Sequence, residues 1–552
     1  MAVNTSTLIL FVVVYLACTF YVARLGYKKN SQTDGYMLAG RQVHPAIMAL
    51  SYGAAFISTS AIIGFGGVAA SLGMGLLWLV FMNIFFGIFI AFVVFGPPTR
   101  RMGLNLGSIT YPEFIGKRFQ SRFIQGFSGL LIAVFMPLYA ASVLIGAGRF
   151  LETTLGIDYN LALLIFTIII ASYVIKGGLL SVMYVDAMQG TLMLLGMAFL
   201  LVFTYSKLGG VVGAHQALTD MASLVPQALV DQGHRGWTAM PAFNSPIWWT
   251  MISTITLGVG IGVLAQPQLA VRFMTVKDDR SLKRAVLVGG PFILMMAGVA
   301  YVVGALSNVY FYRTTGMISL QVAGGNTDLI MPQFLNQAMP ETFVALFMLS
   351  LLAAAMSTAA AQFHTMGTSI GHDFYQQGLM NGKSRGTAVH ATKLGIAFTI
   401  LVSVALAYIL PVSIIARATA MFMGLCTSAF LPLYMGALFW KRTTRAGATA
   451  SLVVGSLSSL FWLVFVHAKE AVPLKICLAI FGKETLLSGT WPLVDPILVA
   501  TPLSFLTLIV VSLMTVPPSA EFLKRAYRLR FEDEEEELSE PASHKAVEST
   551  GV

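Results

Sequence analysis

Ser51-Tyr52-Gly53-Ala54-Ala55-Phe56-Ile57-Ser58-Thr59-Ser60 lies inside an apolar run from about residue 44 to 70, and Gly64, Gly66 and Gly67 follow it. A run of that length crosses a bilayer as a helix, for which roughly 20 mostly apolar residues suffice. Hydroxyls and glycines at its centre predict an interrupted helix, a device that turns freed carbonyls and amides toward polar cargo at mid-membrane. One other run has this character: near 245–271, Gly258, Gly260 and Gly262 precede Gln266-Pro267. Glycine also serves close helix packing, so either run alone carries little. Their matched positions carry more.

Outward from this stretch the whole chain reads as lipid-embedded. Of 552 residues, 57% are hydrophobic and 11% charged, where a soluble domain carries about a quarter charged. Backbone groups must pair internally in lipid, so spans are helices or closed barrels, and the ten-residue alternation of a barrel is absent. Spans are expected near 5–25, 44–70, 73–97, 123–148, 159–178, 184–206, 245–271, 284–311, 340–369, 391–410, 412–439, 446–468 and 494–516. That is an all-α polytopic membrane protein of about thirteen spans.

The net charge of +10 does not point to nucleic acid, because the basic residues fall on alternate loops. One side holds Arg24, Lys28, Lys29, Arg41, Arg100, Arg101, Lys117, Arg118, Arg122, Lys176, Arg272, Lys277, Arg280, Lys283 and Arg284. It also holds Lys383, Arg385, Lys393, Lys441, Arg442, Arg445, Lys524, Arg525, Arg528, Arg530 and Lys545. Together these are 26 of the 34 basic residues, which assigns that side to the cytoplasm, the N-terminus to the outside and the C-terminus to the inside of the plasma membrane. The first span lacks positive residues before it and is read as uncleaved.

The three cysteines, Cys18, Cys426 and Cys477, form no disulfide framework. An acidic run from Glu532 to Glu537 and a Ser/Pro/Glu-rich end predict a short disordered tail. No P-loop or H-E-x-x-H helix occurs, and no nucleophile and base pair up, so ATP-driven pumping and enzymatic hydrolysis are not supported. An ion gradient is the remaining energy source.

Spans 2–6 and 7–11 form two groups of five, each opened by an interrupted member. Five being odd, the second group enters from the opposite side, as in an inverted repeat. The expected division is 1–43 (leading helix and first cytoplasmic loop), 44–206 (first half), 207–244 (external loop), 245–440 (second half), 441–517 (two trailing helices) and 518–552 (tail).

A second constellation lies in span 9, where Ala354, Ser357 and Thr358 share a helical face through spacings of three and four. Sodium leaves water only when oxygens replace its shell. Two hydroxyls here and carbonyls freed at Ala54–Ile57 would serve. On spacing alone the plainer reading prevails, since membrane Ser and Thr usually bond their own i−4 carbonyls and Ala-rich faces pack helices.

Several stretches resemble the sodium:solute symporter family, whose carriers take proline, pantothenate, sugars, iodide or monocarboxylates. They are Asp34-Gly-Tyr-Met-Leu-Ala-Gly-Arg41, Tyr111-Pro-Glu-Phe-Ile-Gly-Lys-Arg-Phe119, Tyr173-Val-Ile-Lys-Gly-Gly-Leu-Leu-Ser181 with Asp186 and Gln189, and Gln266-Pro-Gln-Leu-Ala-Val-Arg-Phe-Met274. The resemblance implies a fold like that of the bacterial leucine transporter, a five-plus-five inverted repeat with one extra leading helix. It implies sodium (Na+) as the coupling ion, held by the carbonyls of Ala54, Ile57 and Ala354 and the hydroxyls of Ser357 and Thr358. Asp186 matches a family acid thought to assist sodium release; a solvated charge at a helix end is the alternative.

The family's proline carriers place an acid where this chain has Phe56, and aromatics where it has Val259 and Val263; its sugar carriers have polar and aromatic residues at Gly258, Ile261 and Gly262. The expected cargo is therefore a small organic anion such as a monocarboxylate, imported by alternating access. Candidate contacts are Phe56, Ser58, Ser60, Asn83 and Gln266, with Arg417 as a strong cation inside span 11. An intramembrane arginine is a functional candidate, although span 11 starting one turn later would leave Arg417 among headgroups. His364 is either a titrating group or a satisfied interhelical histidine. The rival readings are a proton-coupled carrier using Asp186 or His364, and a ligand sensor built on a transporter fold. The expected partners are the solute and the bilayer, with no nucleic acid and no obligate protein partner.

Overall fold

A computed structural model describes residues 5–28, 33–380 and 388–528. Expectations for Lys29, Lys383, Arg385, Arg530, Lys545 and the tail beyond residue 528 concern positions outside these ranges. All regular elements among the described residues are helical, apart from one isolated bridge between Val43 and Val276.

The long helices in chain order are α1 (Thr5–Lys28), the bent pair α2 (Pro45–Phe56) and α3 (Ser60–Leu72), α4 (Met74–Asn105), α5 (Arg122–Leu155) and α6 (Tyr159–Leu208). They continue with α7 (Pro246–Ala265), α8 (Asp279–Thr315), α9 (Glu341–Leu379), α10 (Ala388–Ile409), α11 (Ile415–Phe439), α12 (Arg445–Phe465) and α13 (Ile497–Met514). Ordinary caps set the ends. The Ser121 hydroxyl accepts the Ile124 N–H to start α5, and Gly156 in the left-handed region stops it; Asp158 accepts the Asn160 and Leu161 N–H groups to start α6. α4 and α9 run past the expected ends at 97 and 369, because hydropathy marks where a helix leaves lipid and not where it stops being helical.

Among the described residues eleven helices are long and apolar enough to cross a membrane, and the α2–α3 pair makes twelve. The expected count of thirteen is reached only by dividing α6. Its 50 residues would run roughly 75 Å at ~1.5 Å each, against ~30 Å of hydrocarbon. Gly178, with φ 66° and ψ −177°, breaks its helical path between the two spans expected there. Only glycine takes that conformation without strain.

α9 and α11 are the most enclosed helices and α5 follows, while α1 and α13 present most of their apolar residues to the outside, as lipid-facing helices do. α3 is held closest. A Cβ on Gly304 of α8 would lie 2.1 Å from the Gly66 carbonyl oxygen, and one on Gly67 would lie 2.0 Å from the Thr327 carbonyl oxygen. The glycines after the interrupted stretch are therefore packing residues, and the break itself contains none. The expected external loop 207–244 includes the helix Gly210–Asp220 and closes over the end of α3, where the buried Trp237 indole donates to the Ala70 carbonyl at 2.7 Å.

Candidate functional site

α2 stops at Phe56 because Ile57 is extended (φ −90°, ψ 104°), and its N–H is the last to bond back, reaching the Gly53 carbonyl at 2.8 Å. In a continuous helix the Ala54 carbonyl would bond the Ser58 amide. Here the Ser357 hydroxyl donates to it at 2.9 Å and the Thr358 hydroxyl at 3.0 Å, both from α9. Ser357 also reaches the Ala354 carbonyl at 3.2 Å. The structure thus brings four of the five expected sodium positions into one buried cluster, with Ile57 buried at the end of the same half-helix. Among the described residues no group of three or more His, Cys, Asp or Glu is arranged for a metal. The oxygens gathered here are neutral, which suits a weakly held, exchangeable hard cation.

One turn before Ala54, Ser51 donates to Asp186 Oδ2 at 2.8 Å. Arg272 is 3.0 Å from the same oxygen and also donates to Ser51 Oγ at 3.0 Å and to the Gln268 carbonyl. Asp186 and Arg272 are both fully buried. Asp186 is therefore no solvated helix-end charge, and Arg272, one of the cations assigned to the cytoplasmic side, is its buried partner. The pair links α6, the end of α2 and the segment after α7. Such a pair is tolerated only with added hydrogen bonds, and Ser51 and Gln268 provide them. Asp186 Oδ1 has no protein partner.

The solute candidates divide. Ser58 and Ser60 stand together, the Ser60 N–H donating to Ser58 Oγ at 3.0 Å, and Ser60 Oγ meets Ser142 Oγ of α5 at 3.0 Å. Ser142 continues to Thr419 of α11 at 3.1 Å, and the Tyr139 hydroxyl donates to the Phe56 carbonyl at 3.4 Å. The Phe56 ring and Val263 of α7 both lie against Gly87 of α4. Gln266 is extended at the end of α7, which is the second break, and its side chain contacts that of Gln268. Asn83 is buried on α4. Gln266 Nε2 and Asn83 Oδ1 have no protein hydrogen bond.

Arg417 lies apart from this group, in the first turn of α11. Its Nε is 3.2 Å from Glu470, and with Lys469, Ser71 and Thr254 it lines a cavity of about 280 Å³ at the C-terminal end of α3. His364 is satisfied by the Tyr36 carbonyl at 3.1 Å, the plainer of its two expected roles. Sequence reasoning missed Arg272, Gln268, Tyr139, Ser142 and Thr419. Of these, Gln268 and Arg272 carried a usable signal, because both sit inside the stretch from Gln266 to Met274.

A bundle of apolar helices whose broken span exposes carbonyls to a facing helix defines the class of membrane carriers. The model of the sodium:solute symporter family matches residues 36–455, and the chain belongs to that family. The high-affinity proline transporter PutP of Bacillus subtilis is 28% identical over 444 residues, which are 80% of this chain and 89% of that protein. The osmoregulated proline transporter OpuE of the same organism is 26% identical, covering 83% and 89%. A sodium/proline symporter of Staphylococcus aureus is 28% identical, covering 88% and 90%. Among solved structures, the substrate-bound outward-open state of a Na+-coupled sialic acid symporter superposes with a TM-score of 0.73 at 18% identity, over 94% of this chain and 99% of that one. The fold is thus the LeuT-like helical fold of sodium symporters, in a multi-pass membrane protein of a transporter family.

Proposed function

We propose that the protein imports a small carboxylate-bearing solute across the plasma membrane with sodium, and that proline is the first candidate. The observation that carries the sodium half is the convergence of the Ser357 and Thr358 hydroxyls on the Ala54 carbonyl freed by the α2 break. Sodium held by Ala54, Ile57, Ala354, Ser357 and Thr358 would tie α9 to the broken span and favour the outward-open state. A ligand shifts such an equilibrium only as far as its affinities for the two states differ. Sodium lost to the cytoplasm, on the side of Asp186, would then free the solute. The two halves of the inverted repeat in this reading are 44–206 and 245–440, with the N-terminus outside and the C-terminus inside.

The names of the relatives support proline over the monocarboxylate expected from the sequence. Its carboxylate would meet the hydroxyls of Ser58, Ser60, Ser142 and Thr419, with Gln266 and Asn83 offering further polar atoms and the Phe56 ring a flat apolar wall. A monocarboxylate stays as a second reading because Phe56 stands where an acid could hold the proline ammonium. Arg417, paired with Glu470, would act on approach and not in the pocket.

The test is uptake of labelled proline and a labelled monocarboxylate into proteoliposomes under inward sodium, potassium or proton gradients. Proline uptake driven by sodium alone is expected. Equal uptake under all three gradients would overturn the coupling, and sodium-driven uptake of the monocarboxylate alone would replace the solute.

A further inference from the structure

At the end of the bundle that the charge pattern assigns to the cytoplasm, a groove of about 800 Å³ opens between the starts of α5 and α12 and the chain just past α13. Along α12 its wall is ordered. Arg445, Thr449 and Val453 all line it, and their spacing of four puts them on one helical face, each ~6 Å deeper than the last. Cation, hydroxyl and branched apolar side chain therefore follow one another from the water toward the bilayer centre. Facing walls come from Phe123 and Val516, with 51% and 87% of their surfaces exposed. Among the described residues no acidic side chain lines the groove.

Ser121 lines both this groove and a polar chamber of about 600 Å³ beside it, which holds Lys117 and Arg122. The chamber's one carboxylate, Glu113, is paired with Lys117 at 2.9 Å. The described residues that line the two openings therefore carry net positive charge, and the α12 N-terminus adds to it.

We propose that this groove binds one anionic phospholipid of the inner leaflet, its phosphate at Arg445 and Thr449 and the upper part of an acyl chain against Phe123, Ala450 and Val453. A membrane carrier with a basic pocket between helices at that depth meets the requirement for headgroup recognition, and the order of chemistry along α12 matches the order of chemistry along such a lipid. A free phosphate would use the cation and leave the apolar walls bare.

The experiment measures phosphatidylglycerol and phosphatidylcholine retained by the purified full chain, using native mass spectrometry across a lipid titration. Wild-type protein is expected to keep phosphatidylglycerol preferentially. Arg445→Glu should weaken its retention by roughly fivefold or more, since one basic residue near an anionic surface is worth about 1 kcal/mol. Arg445→Lys should stay within about twofold. Ala450→Trp, which fills the groove and leaves every charge in place, should also release the lipid, and it keeps the test decisive if Arg445→Glu fails to fold. Equal retention in wild type and Ala450→Trp would overturn the proposal, as would displacement of the lipid by inorganic phosphate alone.

Discussion

Replacing Ser357 with alanine removes one hydroxyl that the structure places 2.9 Å from the Ala54 carbonyl and 3.2 Å from the Ala354 carbonyl. In the sodium-bound state that oxygen would face a cation, and a hydrogen bond to a charged group, the nearest available measure, is worth ~1.5–3 kcal/mol. In the sodium-free state the same hydroxyl contributes the ordinary ~0.5–1.5 kcal/mol of a neutral hydrogen bond. Only the difference, about 1–1.5 kcal/mol, enters sodium affinity. It corresponds to a rise of roughly 5- to 10-fold in the sodium concentration for half-maximal uptake. The assay is initial uptake of labelled proline into proteoliposomes across a series of external sodium concentrations at fixed ionic strength. Thr358→Ser keeps the hydroxyl and should stay within about twofold of wild type. Ser403→Ala is the control, because Ser403 is equally buried and donates to the Thr399 carbonyl within its own helix. If Ser357→Ala and Ser403→Ala shift the sodium dependence equally, the effect is general to buried serines and the proposed cation site is misplaced.

Breaking the buried pair by Arg272→Gln or by Asp186→Asn should each destabilise the protein by ~3–5 kcal/mol, because a buried charge is left alone. The double substitution should recover more than half of that loss in a thermal unfolding assay; purely additive losses would show that the two are not coupled. Gly304→Ala should abolish folded protein, since its Cβ would lie 2.1 Å from the Gly66 backbone oxygen. Gly66→Ala, whose nearest neighbour is the flexible Met331 side chain at 2.9 Å, should be far milder, and comparable yields in size-exclusion chromatography would refute the packing argument. Asp328, in the helix before α9, has its carboxyl pushed up to about 6, mainly by burial, with the Ile415 and Ile414 N–H groups partly opposing. A folded-state value above the unfolded one makes its contribution most favourable at low pH and progressively lost as pH rises through 6. The wild-type melting temperature should therefore carry a downward component between pH 4 and 6 that Asp328→Asn removes, and identical slopes would count against it.

The spans were legible because apolar length is a local property of the chain, and so was the break at Ala54–Ile57, where hydroxyls interrupt an apolar run. Ser357 and Thr358 were legible as a helical face but not as partners of Ala54, since spacing alone cannot distinguish a hydroxyl bonded to its own helix from one donating across 303 residues. The resemblance of several stretches to a known family supplied what periodicity could not. Arg272 was legible as a cation of the cytoplasmic side but not as the partner of Asp186. Its charge and its place after a span fit an exposed loop cation, and only the tertiary approach of α6 buries it. Ser142 and Thr419 gave no warning, because each also bonds a carbonyl within its own helix, as isolated membrane hydroxyls do. The kink at Gly178 was hidden by its position, where a span boundary and a break inside one long helix look alike.

The contact between Gly66 and Gly304 has a kinematic consequence. Two backbones that touch without side chains between them have no soft material to take up sliding, so α3 and α8 should travel as one stiff piece during a transport cycle. The compliance then belongs to Ile57-Ser58-Thr59, the three residues that separate α2 from α3, and the angle between those half-helices, 53° in this structure, is the coordinate along which opening and closing should be sought.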